Sequence, residues 1–178
     1  MSNDKIALLI SFIAMLMYAS SYLFKKKSTY LIFQGLGGFS LVFSYLFMGE
    51  YFAMISLFLG LTRTITYFCF EKKDMAIPVW IVVANCIALC LNYVVVNVFI
   101  LNSANFVDIL LVISFCLYAI VFSFRNLQRV RYTVTIPLAL TVLYNILINA
   151  PIFTVISYSF ELAVAIGSII YYSMPSKR

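Results

Sequence analysis

Apolar residues run through this chain in long blocks separated by short polar or charged breaks. The blocks fall at 6–24, 30–48, 51–70, 78–101, 107–124, 133–149 and 152–173. Each is about 20 residues long, which at ~1.5 Å rise per residue matches the ~30 Å hydrocarbon core of a bilayer. Strands of a membrane β-barrel would instead alternate apolar and polar positions over about 10 residues. The breaks are Lys25 to Thr29, Gly49–Glu50, Glu71 to Ile77, Asn102 to Phe106, Arg125 to Tyr132 and Ala150–Pro151. Each carries a turn or charge signal that backbone exposed to lipid does not tolerate. The pattern predicts an all-α integral membrane protein: seven transmembrane helices in a single membrane domain over 1–178.

Composition sharpens this reading. Of 178 residues, 65% are hydrophobic and only 10% charged, with a mean hydropathy of +1.06. A soluble domain needs more charged surface than that. Asp4 and Lys5 precede an apolar stretch too long for the core of a signal peptide, so the first block reads as a retained span.

Lysine and arginine then orient the chain. Lys25, Lys26, Lys27, Lys72, Lys73, Arg125, Arg129, Arg131, Lys177 and Arg178 all fall in odd-numbered breaks or at the C-terminus. Lys5, Asp4, Glu50 and Asp108 fall on the other side, and Arg63 lies within a span. The expectation is an N-terminus outside and a C-terminus in the cytoplasm of a bacterial cell, with the basic side facing anionic lipid headgroups. The net charge of +6 is thereby explained without nucleic acid. Membrane lipids are the expected partners, and a homo-oligomer is a further possibility.

Two halves are visible. Leu9-Ile10-Ser11-Phe12 recurs as Val112-Ile113-Ser114-Phe115, an offset of 103, and Ser56, Gly60 and Thr64 recur as Ser159, Ala163 and Gly167 at the same offset. Tyr45 against Tyr144 needs an offset of 99. With seven spans these halves run parallel: about 6–70, a linker helix at about 78–101, and about 107–173. That is a 3+1+3 arrangement of the SWEET type.

Arg63 and Glu161 are the mid-span charges. An arginine at that depth costs about 2.5–3.5 kcal/mol on insertion scales, so something inside the bundle must receive it. The simplest arrangement pairs Arg63 with Glu161 across the two halves. A solute-binding or gating role is the alternative, since intramembrane ions mark functional sites. A lone Glu161 could take up a proton and couple transport to the proton gradient; a lone Arg63 would favour an anionic solute.

Polar stripes at helical spacing accompany the two charges: Ser56, Gly60, Arg63 and Tyr67; Thr141, Asn145 and Asn149 beyond Pro137; Tyr158, Glu161, Ser168 and Tyr172; and Gln34 beside Gly35, Gly37 and Gly38. Stripes from spans 2, 3, 6 and 7 could line one cavity. Arg63, Glu161, Tyr67, Asn145, Gln34 and Tyr158 are the candidate substrate-binding residues. Asn85 and Asn92 in span 4 read as interhelical glue.

Catalysis is not expected. The chain has no histidine, no paired carboxylates and no phosphate loop, since the glycines at 35, 37 and 38 lie inside a span. Cys69, Cys86, Cys90 and Cys116 read as small apolar fillers rather than metal ligands, and neither a metal nor a cofactor is implied.

The run from Phe24 through Lys25, Lys26 and Lys27 to Gln34, then Tyr45 to Tyr51, then Leu61-Thr62-Arg63-Thr64 resembles the YgjV-type bacterial inner-membrane family. The likeness covers most of the chain, though Gly60 or Leu61 stands where that family has an asparagine. It implies a bacterial cytoplasmic-membrane location and a distant similarity to SWEET, PQ-loop and PnuC-type carriers. No Pro-Gln pair stands in spans 1 or 5, and Trp80 in span 4 is the single tryptophan, so a sugar is not implied. The resulting expectation is a transporter of a small polar solute. The alternative is a non-transporting membrane scaffold that binds or stabilises a partner.

Overall fold

The computed structural model describes residues 3–101, 105–150 and 152–173. Seven helices follow one another: α1 (Asn3–Ser21), α2 (Lys27–Met48), α3 (Tyr51–Lys72), α4 (Val79–Tyr93), α5 (Phe106–Ser123), α6 (Leu127–Leu147) and α7 (Ile152–Ser173). No strand occurs among the described residues. Six of the helices are long and apolar enough to cross a membrane, and α1 contributes a shorter apolar stretch, Lys5–Ser21. The connections at 102–104 and Pro151 lie outside the described residues, as do Lys177 and Arg178.

α4 does not end at Tyr93 but widens into a π-type segment, Val94–Ile100, in which the Leu101 amide reaches back to the Val96 carbonyl at 2.8 Å. The wider turn carries Asn97 to a buried position, where it donates to Asp108 at 2.6 Å. Such bulges re-aim side chains that a regular helix would turn elsewhere.

α1, α2, α3, α5, α6 and α7 pack neighbour to neighbour in a closed ring, in the order α1, α2, α3, α5, α6, α7 and back to α1. α4 lies outside it, against α3 and α5. Asn92 donates to the Ser56 hydroxyl at 2.8 Å and Asn85 to the Leu59 carbonyl at 3.4 Å, so both asparagines fasten α4 to α3. The large apolar residues Trp80, Val83, Ile87 and Leu91 of α4 point outward, as lipid-facing side chains do.

The interior is rich in tyrosine. Tyr18, Tyr22, Tyr30, Tyr45, Tyr67, Tyr118, Tyr144 and Tyr158 are all buried. A phenol fills space like an apolar ring, yet its hydroxyl must find a partner away from water. Several of these hydroxyls therefore join helices: Tyr67 donates to the Ala119 carbonyl at 3.0 Å, Tyr144 to Asp108 at 3.1 Å and Tyr45 to Asn145 at 2.9 Å.

Helix ends recur along the chain. α2 closes with Gly49 at φ 76°, its amide bonded to Leu46 and that of Glu50 to Tyr45. α6 closes with Asn149 at φ 52°, its amide bonded to Ile146 and that of Ala150 to Asn145. Both are left-handed caps of the same kind, one on glycine and one on the residue that next best tolerates it. The order of buried and exposed residues over 31–49 repeats over 131–149 position by position. In α3 and α7 the offset becomes 101, pairing Ser56 with Ser157 and Leu57 with Tyr158. The burial order does not follow the offset of 103 read from sequence. Ser159, Ala163 and Gly167, the stripe on which it rested, lie on an exposed face, and nothing packs within 4 Å of a Cβ placed on Gly167.

Two predicted loops are shorter than the sequence suggested. α2 begins at Lys27 rather than 30, and α6 at Leu127 rather than 133. Lys27 and Arg131 belong to these added turns and are buried, not solvated. Lys27 pairs with Glu71 at 3.0 Å, and Arg131 donates to the Tyr22 and Phe24 carbonyls at 3.3 and 2.6 Å. Partners from other helices let a charged residue join a buried helical face, which the charge alone argued against.

Candidate functional site

A cavity of about 40 Å³ lies among the helices of the ring. It has room for about three waters. Its polar lining comes from Tyr18 of α1, Gln34 of α2, Arg63 and Thr64 of α3, Tyr118 of α5, and Tyr158 and Glu161 of α7. Close approach of α1 to α2 shapes one wall. A Cβ on Gly37 would stand 2.8 Å from Tyr18 Cε1, so only glycine admits the Tyr18 ring there.

Arg63 and Glu161 both face this cavity, but they do not form the ion pair expected from sequence. Glu161 turns toward α1 and α2, where its Oε1 accepts from the Tyr22 hydroxyl at 3.2 Å and from Gln34 Nε2 at 3.1 Å. Gln34 Nε2 also reaches the Ser21 hydroxyl at 3.0 Å. Arg63 turns toward α5. Its Nη1 donates to the Phe115 carbonyl at 3.3 Å, and its guanidinium carbon lies 5.2 Å from the Phe122 ring centre and 6.0 Å from that of Tyr118. Ring faces attract cations through their quadrupole. Arg63 Nε has no hydrogen-bond partner, although it is buried. Each charge is therefore held by neutral groups from a different side of the ring.

Of the six candidate residues, Arg63, Glu161, Gln34 and Tyr158 come together around the cavity. Tyr67 does not line it; its hydroxyl is spent on the Ala119 carbonyl. Asn145 is also outside the lining, accepting from Tyr45 and donating to the Thr141 carbonyl at 2.8 Å. The α6 stripe is thus absorbed in packing, with Thr141 sharing a 2.7 Å hydrogen bond with Ser114. α1 and α5 take its place through Tyr18, Tyr118 and Phe122, which the sequence reading passed over. A signal existed: Tyr18 and Tyr118 stand one hundred residues apart, at the offset that the burial pattern follows.

The connections on either side of the ring differ in charge. At one end Lys27 meets Glu71, Arg125 meets Asp74, and Tyr172 donates to the Leu23 carbonyl at 3.0 Å, which gathers the basic connections and the end of α7. At the other, Glu50 and Asp108 line a hollow with Asn97, Asn105 and Tyr144. Among the described residues no group of side chains is suited to hold a metal ion.

No curated protein and no solved structure matches the chain, so the more distant likeness to SWEET, PQ-loop and PnuC-type carriers finds no support there. A family model described as a bacterial inner membrane protein, Imp-YgjV, matches residues 5–174. That match spans nearly the whole chain and agrees with the long apolar helices; the protein belongs to the Imp-YgjV family and is a multi-pass protein of the bacterial inner membrane.

Proposed function

We propose that this protein is a carrier that moves a small polar solute across the inner membrane by way of the cavity between Arg63 and Glu161. One observation carries the reading: two buried side chains of opposite charge line the same cavity without pairing. Each costs several kcal/mol to place in a bilayer. Direct pairing is the simplest way to offset that cost, and the two side chains do not use it. Here both charges rest on neutral partners, and one nitrogen of Arg63 is left over. A solute with an acceptor toward Arg63 and a donor toward Glu161 completes the set. The site takes it only after the walls separate, since the present space has room for no more than about three waters.

The architecture fits this role as two parallel triple-helix units, α1–α3 and α5–α7, joined by α4. Recurrence of the helix caps and of the burial order at offsets of 100 and 101 supports it. A ring built of two similar units can rock about a central site, as repeat-built carriers do. The basic end is cytoplasmic in this reading, by the excess of lysine and arginine in its connections.

The test is uptake into proteoliposomes from a panel of amino acids, organic acids and amines, comparing wild type with Arg63→Ala and Glu161→Gln. Saturable uptake of one solute class, lost in both variants while each keeps its helical content and elution volume, supports the carrier. A wild-type protein that is folded and passes none of them overturns it in favour of a scaffold.

A further inference from the structure

The basic end of the ring holds a hollow of about 450 Å³, lined by Lys25, Lys27, Glu71, Arg125, Gln128 and Arg131, with Asn126, Leu127 and Tyr172 completing its wall. Four cations and one carboxylate thus share a single recess. Glu71 is engaged by Lys27 at 3.0 Å, and Arg125 by Asp74 outside the recess. Lys25 and Arg131 have no carboxylate partner among the described residues.

Arg131 is the unusual member, with 2% of its surface exposed. Its guanidinium meets only neutral acceptors, the carbonyls of Tyr22 and Phe24 and Gln128 Oε1 at 3.2 Å, and it lies 3.8 Å from the centre of the Tyr172 ring. Its Nε is buried without a partner. A full charge on neutral acceptors is costly unless an anion comes near it. Two helices also begin beside the recess. Asn126 caps α6 by accepting from the Gln128 amide at 2.8 Å. α2 has neither a side-chain cap nor an acidic residue in its first turn, so its first amides keep their affinity for negative charge.

We infer that this recess binds a phosphate group, held by Arg131 and Lys25 at the uncapped start of α2. Nη2 of Arg131 is spent on the Tyr22 and Phe24 carbonyls, so the arginine offers a phosphate its charge and the second hydrogen of Nη1, and lysine adds a mobile point charge. Two sources supply that chemistry at a membrane surface: the headgroup of an anionic phospholipid, and a soluble phosphate ion or ester. This inference is independent of the carrier reading, because it concerns the end of the ring rather than its centre.

The experiment uses the full chain in a neutral detergent and reads its melting temperature. One arm titrates inorganic phosphate against chloride at matched ionic strength; the other adds phosphatidylglycerol against phosphatidylcholine in mixed micelles. A saturable rise in melting temperature is expected in at least one arm. A rise with phosphate identifies a soluble ligand, and a rise with phosphatidylglycerol alone identifies the lipid. In Lys25→Gln and in Arg131→Gln the concentration for half the rise should increase roughly tenfold, the loss of one charge-assisted contact. Lys25 is exposed and carries no internal contact, so its variant keeps the test valid if Arg131→Gln fails to fold. No rise in either arm, or a rise of unchanged midpoint in Lys25→Gln, overturns the inference.

Discussion

The Tyr45 hydroxyl donates to Asn145 Oδ1 at 2.9 Å, joining two residues one hundred places apart at the same turn of α2 and α6. Both are buried, and Asn145 carries the C-terminal cap of its helix just as Tyr45 does, since Glu50 and Ala150 return their amides to these two carbonyls. One bond therefore ties the last turns of α2 and α6 together. Tyr45→Phe removes it and leaves Asn145 Oδ1 without a donor. Interhelical hydrogen bonds in membranes are worth about 0.6 kcal/mol on average, up to ~1.7. A loss of about 1 kcal/mol in unfolding free energy in mixed micelles is expected, and a double-mutant cycle with Asn145→Ala should return most of it as coupling.

The contact of Tyr18 with the backbone of α2 makes a sharper steric prediction. Gly37→Ala places a methyl 2.8 Å from Tyr18 Cε1, while Gly35→Ala meets nothing nearer than 3.7 Å. The first should destabilise by about 1–3 kcal/mol, as overpacking does. The second should be neutral or slightly stabilising, since alanine is the better helix former by about 1 kcal/mol. Tyr18→Leu in the Gly37→Ala background should restore much of the loss. Thermal unfolding followed by circular dichroism reads all four proteins.

Lys27 and Glu71 join the start of α2 to the end of α3, with 4% and 27% of their side chains exposed. Glu71→Gln leaves the buried ammonium without its carboxylate. Removing one partner of a buried pair costs about 3–5 kcal/mol, and a surface pair costs at most about 1. With Glu71 partly in contact with solvent, about 2 kcal/mol is the expected loss. Lys27→Met together with Glu71→Gln should recover most of it, because a thioether needs no counter-charge. Denaturant midpoints of the two variants and the wild type decide the matter.

Glu50 lies between α2 and α3, where partial burial and then the nearby Asp108 carboxylate push its carboxyl above the ordinary range. The folded state thus favours the neutral acid. That contribution is present below the ordinary carboxylate pKa of the unfolded chain and is lost as pH rises through the raised value. Glu50→Gln keeps the neutral form at every pH. Melting temperatures measured from acid to neutral pH should fall more steeply for wild type than for the variant. Equal slopes would remove Glu50 from the account.

The helix number was legible in the sequence because a bilayer acts on each segment separately. A stretch of about 20 apolar residues meets the hydrocarbon core whatever its neighbours do. Arg63 and Glu161 were legible for the same reason: a charge in such a stretch stands out without reference to any other helix. Their pairing was not legible. Depth along two helices says nothing of the rotation of each about its axis, and here that rotation sends Arg63 to α5 and Glu161 to α1 and α2. Lys27 and Arg131 were assigned to loops by their charge, although Glu71 and the carbonyls of Tyr22 and Phe24 wait for them inside the fold.

By itself, then, the sequence determined that this is a helical membrane protein, roughly where its spans lie and that Arg63 and Glu161 fall within them, since these follow from local hydropathy. Only the tertiary structure decided what those charges touch. Tyr22 and Glu161 are 139 residues apart, Arg131 and Tyr22 are 109 apart, and such contacts come from helix packing, which no single segment encodes.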